Sequence, residues 1–225
     1  MPSVQDAFQK IAKEAVKLVK GNSTVGLGSG STVAILVREM AKLPDKESIQ
    51  FVPTSLQIKV EAEKSSLSIA DENKIPYIDI VFDGADQIDA KFNMIKGGGG
   101  ALLKEKILIS SAKRVVIMAD ESKFVRTFTR SVPVEVHPMA RSLVQKKLAQ
   151  MGGTPALRTL DKGYPFVTEN GNLIFETSFS SIPDPQKRET EIKSIPGVME
   201  VGLFTRRADI YYKGKMDGSF EAIRL

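Results

Sequence analysis

The sequence predicts an α/β protein, a mostly parallel sheet covered by helices with a smaller α+β domain after it. Three observations predict it. Short apolar runs at Thr24 to Leu27, Ile49 to Val52, Ile78 to Phe82 and Arg114 to Met118 each lead into a loop of small or polar residues and then a helix-like stretch. Strands alternating with helices at this spacing are the mark of βαβ units. From about Val132 the order becomes β-α-β-β-α-β, that of a split βαβ. The 225 residues, 42% hydrophobic and 26% charged, are enough to bury a core with no disulfide or metal staple.

Element by element, Phe8, Ile11, Ala12, Ala15, Val16 and Val19 recur on one helical face and stop at the breaker Gly21-Asn22, so an amphipathic helix opens the chain. The four apolar runs follow as strands, and Ala101 to Ser110 forms a helix before the last of them. Val132 to Val136 then reads as a strand and Ala140 to Met151 as a helix. Ala156 to Arg158 and Tyr164 to Ser178 read as strands, the second broken by Asn170-Gly171. Pro185 to Ile195 completes the helices and Val198 to Phe204 the strands of this part, while Ala208 to Leu225 returns to the first domain as a strand and a Gly-interrupted tail. The expected division is a Rossmann-like domain over 1–130 plus 206–225 and a ferredoxin-like domain over 131–205.

Composition removes several kinds of chemistry. With no Cys there is no disulfide framework, thiolate nucleophile or Cys-based zinc site, which fits a reducing compartment. A single His, His137, rules out a His-rich metal site, so acid/base work falls to carboxylates, lysines or tyrosines. The net charge of +5 comes from basic residues spread along the chain rather than gathered in a tract, which implies no nucleic acid and suits an anionic small substrate or plain solubility. The first twenty residues carry Asp6, Lys10, Lys13, Glu14, Lys17 and Lys20 and thus no apolar h-region, and nowhere do 18 apolar residues run together. A soluble, cytoplasmic protein with no membrane partner is expected.

In an open α/β sheet the loops after the four strands lie at one edge, where ligands bind. Gly28-Ser29-Gly30-Ser31-Thr32 fits neither a dinucleotide fingerprint nor a Walker loop. It is a small-residue turn with hydroxyls at a helix start, suited to a phosphate monoester or, more simply, to an N-cap by Ser31 or Thr32. Asp83-Gly84-Ala85-Asp86 places two carboxylates in a strand-to-helix crossover, open to sugar-hydroxyl binding, proton shuttling, a Mg²⁺ ligand pair or Asx capping of a turn. Lys96-Gly97-Gly98-Gly99-Gly100 is the most unusual stretch. Four glycines lose much entropy on ordering, so the run belongs where backbone approaches a ligand or takes positive φ, and a lysine beside those amides makes an oxyanion-stabilising corner. Helical spacing puts Glu105 on one face with Ala101 and Leu102, toward the same crevice as Lys96, although a Glu between Lys104 and Lys106 is otherwise a solvated residue. Lys123, in Ala119-Asp120-Glu121-Ser122-Lys123, serves as a phosphate-binding cation or a surface lysine, and His137 is structural.

Taken jointly and in this order, these four segments resemble the signature of ribose-5-phosphate isomerase, type A, and the resemblance runs on through Pro133-Val134-Glu135-Val136 and Pro138-Met139-Ala140-Arg141 to Gly197-Val198 and Gly202-Leu203-Phe204. It implies an aldose–ketose isomerase of the pentose phosphate pathway, independent of metal and cofactor, that interconverts ribose 5-phosphate and ribulose 5-phosphate as a homodimer or homotetramer. By motif, Glu105 matches the base. Lys96 with the Gly97, Gly98 and Gly99 amides matches the group holding the developing enediolate oxygen. Asp83 and Asp86, with Gly84 and Ala85 between them, match the sugar-binding stretch, Asp83 serving ring opening and hydroxyl proton transfer. Ser29, Gly30, Ser31 and Thr32 match the phosphate cradle, and Lys123 a further substrate contact. Two positions depart from the family's habit: Ser29 for Thr, and Gln87 for a Glu, the latter removing a charge.

Two rivals remain from the residues alone. A non-catalytic sugar-phosphate-sensing domain would follow a DNA-binding module, for which the roughly 22 residues before the first strand are too few. A Mg²⁺-dependent isomerase or phosphatase would use Asp83 and Asp86 as ligands, against competition from Lys96 and Lys123.

Overall fold

The computed structural model describes residues 3–71 and 77–225. In chain order the principal elements are α1 (Val4–Ala15), β1 (Thr24–Leu27), α2 (Gly30–Met40), β2 (Gln50–Pro53), α3 (Leu56–Lys64), β3 (Ile78–Asp83), β4 (Gln87–Ile88), β5 (Met94–Ile95), α4 (Leu102–Ser111), β6 (Ala112–Asp120), β7 (Val132–Val136), α5 (Arg141–Gln150), β8 (Gly153–Leu157), β9 (Leu173–Phe179), α6 (Pro185–Lys193), β10 (Val198–Val201), β11 (Leu203–Phe204), β12 (Ile210–Gly214) and β13 (Phe220–Arg224). The chain forms two compact units, Met1–Ala85 with Lys104–Lys123 and Ala208–Leu225, and Asp86–Leu103 with Phe124–Arg207.

The first unit holds a six-stranded sheet in the order β13-β12-β6-β3-β1-β2, parallel except for the antiparallel β12–β13 hairpin. This is the expected Rossmann-like α/β architecture. β6 runs through Val115, Val116, Ile117, Met118 and Ala119, all buried, because a central parallel strand is covered on both faces. Side chains alternate across β1: Val25 and Leu27 join Ile11, Leu36 and Met40 from α1 and α2 in one core. Gly26 faces the other way, where Leu108 of α4 lies 3.2 Å from the position a Cβ would take. The first helix starts at Ser3, whose hydroxyl accepts the Asp6 N–H while the Asp6 carboxylate accepts the Ser3 N–H, a reciprocal cap that satisfies two otherwise orphaned donors. The expected C-terminal tail is instead β13, paired with β12 along its length.

The second unit is built on a four-stranded antiparallel sheet in the order β10-β7-β9-β8, the ferredoxin-like arrangement. Val132, Val134 and Val136 of β7 point to one face, against Val144, Leu148 and Ile192 of α5 and α6. Some details differ from expectation. The Tyr164 to Ser178 stretch forms a strand only from Leu173; ahead of Asn170-Gly171 it holds isolated bridges at Pro165 and Val167, Pro165 having no N–H to give a ladder. The Val198 to Phe204 run divides at Gly202, whose N–H donates to the Pro133 carbonyl at 2.7 Å while its own carbonyl accepts from the Lys96 N–H at 2.9 Å. This hands the chain from β10 to β11, which pairs with β5 in a small sheet β11-β5-β4. Thus residues 86–103 and 124–130 pack with the second unit, whereas the expected boundary runs at 131. After Asp83 the chain enters the β4–β5 hairpin rather than passing directly to a helix, since strands of two residues leave no periodic signal.

Candidate active site

In the first unit β1 has β2 on one side and β3 on the other, so the chain leaves β1 in one direction and returns on the opposite flank. The crevice at the carboxyl ends of such a pair is where an open α/β sheet takes its ligands. Gly28 to Thr32 follow β1 there and Asp83 closes β3. The two strands approach closely: the Gly28 N–H donates to the Phe82 carbonyl at 2.8 Å, and a Cβ on Gly28 would fall 1.9 Å from Asp83 Oδ1. Only glycine leaves Asp83 its place.

Asp83 is 1% exposed, and its Oδ1 accepts the N–H groups of Gly84 at 2.7 Å and Ser29 at 3.3 Å. The Ser29 hydroxyl donates to Glu105 Oε1 at 2.6 Å. One residue therefore ties together two buried carboxylates. Ser29, rather than Ser31 or Thr32, occupies the N-cap position of α2, yet its side chain makes no cap bond, being committed to Glu105. Gly30, Ser31 and Thr32 form the first turn of that helix, where backbone N–H groups and the dipole favour an anion. Glu105 is 2% exposed, on the face of α4 that buries Ala101, Leu102, Leu108 and Ile109. Glu105 is thus buried with Ala101 and Leu102, and the solvated reading does not hold. Lys123 is half-buried in the short turn after β6.

In the second unit Asp86 and the glycine run meet. Asp86 Oδ2 accepts the Gly98 N–H at 2.8 Å, and Arg130 lies 3.7 Å from Asp86 Oδ1. Gly97 and Gly100 take φ of +107° and +84°, and a Cβ on Gly100 would strike the Phe166 ring at 2.6 Å. The run is an ordered turn, closed by the Gly100 N–H donating to the Gly97 carbonyl at 3.0 Å. Lys96 is 3% exposed, and its ammonium lies 5.5 Å from the Phe204 ring centroid, within cation–π range. Gln87 is buried in a neutral network: its amide donates to Thr129 Oγ1 at 2.6 Å and its carbonyl accepts the N–H groups of Thr129 and Arg130 at 2.9 and 3.0 Å. No ion pair is needed at that position.

Sequence reasoning missed the group around this turn. Arg158 donates from Nη1 to the carbonyls of Gly97 at 3.0 Å and Gly98 at 3.2 Å, and its other nitrogens bind Glu176, whose second oxygen takes the Ser131 hydroxyl at 2.6 Å. Asp86, Gly98, Arg130, Ser131, Arg158 and Glu176 line a cavity of about 310 Å³. An arginine some sixty residues from the glycines carries no local signal of this contact. Among the described residues, no helix is long and apolar enough to cross a membrane.

Residues 50–218 match the family model described as ribose 5-phosphate isomerase A (phosphoriboisomerase A). The ribose-5-phosphate isomerase A of Methanosarcina acetivorans is 40% identical over 212 residues, covering 93% of this chain and 90% of that one. The solved ribose 5-phosphate isomerase A of Methanocaldococcus jannaschii superposes with a TM-score of 0.92 at 37% identity, over 99% of this chain and all of that one. A solved D-ribose-5-phosphate isomerase in complex with phospho-erythronic acid gives 0.93 at 34% identity, with both chains fully covered. With two buried carboxylates at the sheet's switch point, an ordered glycine turn and this similarity along its length, the chain belongs to the ribose-5-phosphate isomerase A family and is an enzyme of the isomerase class.

Proposed function

We propose that the chain interconverts D-ribose 5-phosphate and D-ribulose 5-phosphate through an enediol, with Glu105 as the base. The observation that carries the reading is Ser29, which holds Asp83 through its N–H and Glu105 through its hydroxyl. Glu105 removes the proton from C2 of the open-chain aldose and returns it to C1, one carboxylate serving both carbons from one face. Asp83 takes the O2 hydroxyl proton and delivers it to O1, so C2 becomes the carbonyl and C1 the alcohol; the same group opens the ring. A carboxylate of ordinary basicity is weak against a carbon acid, so the enediolate oxygen must be strongly stabilised. Lys96 and the Gly97 to Gly99 turn supply that, their donors held in place before the reaction begins. Asp86, Gly84 and Ala85 orient the sugar, the first turn of α2 with Ser29 to Thr32 cradles the phosphate, and Lys123 adds positive charge.

The phospho-erythronic acid bound by the similar structure supports this reading, since its carboxylate next to a hydroxylated carbon resembles the oxygens of an enediolate. The reaction belongs to the pentose phosphate pathway, in the cytoplasm, and the working form is a homodimer or homotetramer. The test is formation of ribulose 5-phosphate from ribose 5-phosphate by the purified chain in excess EDTA, beside Glu105→Gln. The expected result is chelator-resistant turnover that falls by several orders of magnitude in the variant while sugar phosphate still binds. Turnover near wild type in the variant removes Glu105 from the mechanism, and sugar-phosphate binding without turnover in the wild type points to sensing instead.

A further inference from the structure

We infer that Arg158 is a positioning residue for the isomerisation, aiming the Gly99 N–H by holding the carbonyl of the same peptide unit. The inference rests on the proposed enediolate role of the glycine turn. In a trans peptide the C=O of one residue and the N–H of the next point in opposite directions, so fixing either fixes both. The Gly97–Gly98 unit is gripped at its two ends: its carbonyl accepts Arg158 Nη1 at 3.0 Å and its N–H donates to Asp86 at 2.8 Å. That amide is already engaged. The Gly98–Gly99 unit is gripped at its carbonyl alone, by Arg158 Nη1 at 3.2 Å, which turns the Gly99 N–H away from the guanidinium. Gly99 is therefore the donor whose direction Arg158 sets.

Glycine peptides rotate more readily than any others, so a turn of four needs an outside hold to present one amide reproducibly. Arg158 is suited to it. Its side chain is 13% exposed and locked by Glu176, which accepts from both Nε and Nη2 and in turn receives the Ser131 hydroxyl. The guanidinium stacks 5.4 Å from the Phe166 ring, the ring that also closes against Gly100. A cation on the carbonyl oxygen also polarises the peptide, strengthening its N–H as a donor. Lysine has a single nitrogen and cannot serve both carbonyls, as Nη1 does, while further nitrogens stay bound to Glu176.

The experiment compares wild type, Arg158→Lys, Arg158→Gln and Glu176→Gln for kcat and KM with ribose 5-phosphate and for inhibition by phospho-erythronic acid, with thermal unfolding of each. A positioning role predicts that Arg158→Gln lowers kcat about 100-fold with KM within about threefold, since the interaction matters chiefly when the oxygen becomes an anion. The analogue should then bind about 10-fold or more weakly, Arg158→Lys should recover only part of the loss, and Glu176→Gln should move in the same direction by less. A folded Arg158→Gln with wild-type kcat overturns the inference. So does a lowered unfolding temperature in all three variants with kcat and analogue affinity unchanged, which leaves Arg158 a structural residue of its sheet. Absence of turnover in the wild type defeats the functional reading itself and is read from the same assay before any variant is compared.

Discussion

Ser29 carries more of the proposed site than any other single residue, because its two polar groups go to different carboxylates. Ser29→Ala keeps the backbone bond to Asp83 and deletes the one to Glu105. Turnover is expected to fall about 10- to 100-fold through loss of orientation, with KM little changed; steady-state kinetics on the folded variant decides it, and an unaltered kcat means the Ser29 hydroxyl does not orient Glu105. Gly28→Ala tests the closeness of β1 to Asp83. The added methyl must displace a carboxylate 1.9 Å away, so turnover should be lost together with about 1–3 kcal/mol of stability, read from urea unfolding. A variant as stable and active as wild type denies that closeness. At this scale the sequence was informative about residue type and silent about contacts: Asp83, Lys96 and Glu105 stand out by motif and prove to be buried, whereas Arg158 lies far away in sequence and is joined to the glycine turn only by folding.

Among the elements, the amino end of β3 is tied to both neighbours by one side chain. Asp79 accepts the Thr24 N–H at 2.9 Å from β1 and the Lys113 ammonium at 2.9 Å from β6. The Lys113 bond first, then the Thr24 bond, hold its carboxyl below the ordinary aspartate value of 3.8. A lowered folded-state pKa adds stability that is complete above that ordinary value and is lost as pH falls through the folded one. Solvent screening keeps the worth of this partly exposed pair small. Asp79→Asn is therefore expected to destabilise modestly near neutral pH and to approach wild type as pH falls through the folded-state value of Asp79, where wild type loses the charge as well. Urea midpoints from pH 7 downward into acid measure it, and a difference that stays constant after wild type has lost the Asp79 charge sets the ion pair aside. Strand positions were legible because apolar runs of four to nine residues carry a strong signal; β4, β5 and the Gly202 break were not, since short strands are held by pairing with distant partners.

For the whole molecule, sedimentation velocity of the purified chain should give two or four times the chain mass, held across a tenfold dilution; a single-chain mass denies the proposed oligomer. The sequence by itself determined the α/β class, the order of the longer elements in both parts and the residue types available for chemistry. Hydrophobic periodicity is local and follows each element wherever it packs. The absence of Cys and the single His left acid/base work to carboxylates, lysines or tyrosines. Only the tertiary structure decided how the elements divide, with 86–103 packed beside β7 to β11, and which groups meet. Pairing of β1 with β3 puts Gly28 and Ser29 against Asp83, although 54 positions separate Ser29 from it. The carbonyls of the glycine turn are held by an arginine that follows β8, some sixty positions further along the chain. Such contacts arise from strand pairing and close packing between segments distant in sequence, and no local pattern of residue types specifies them.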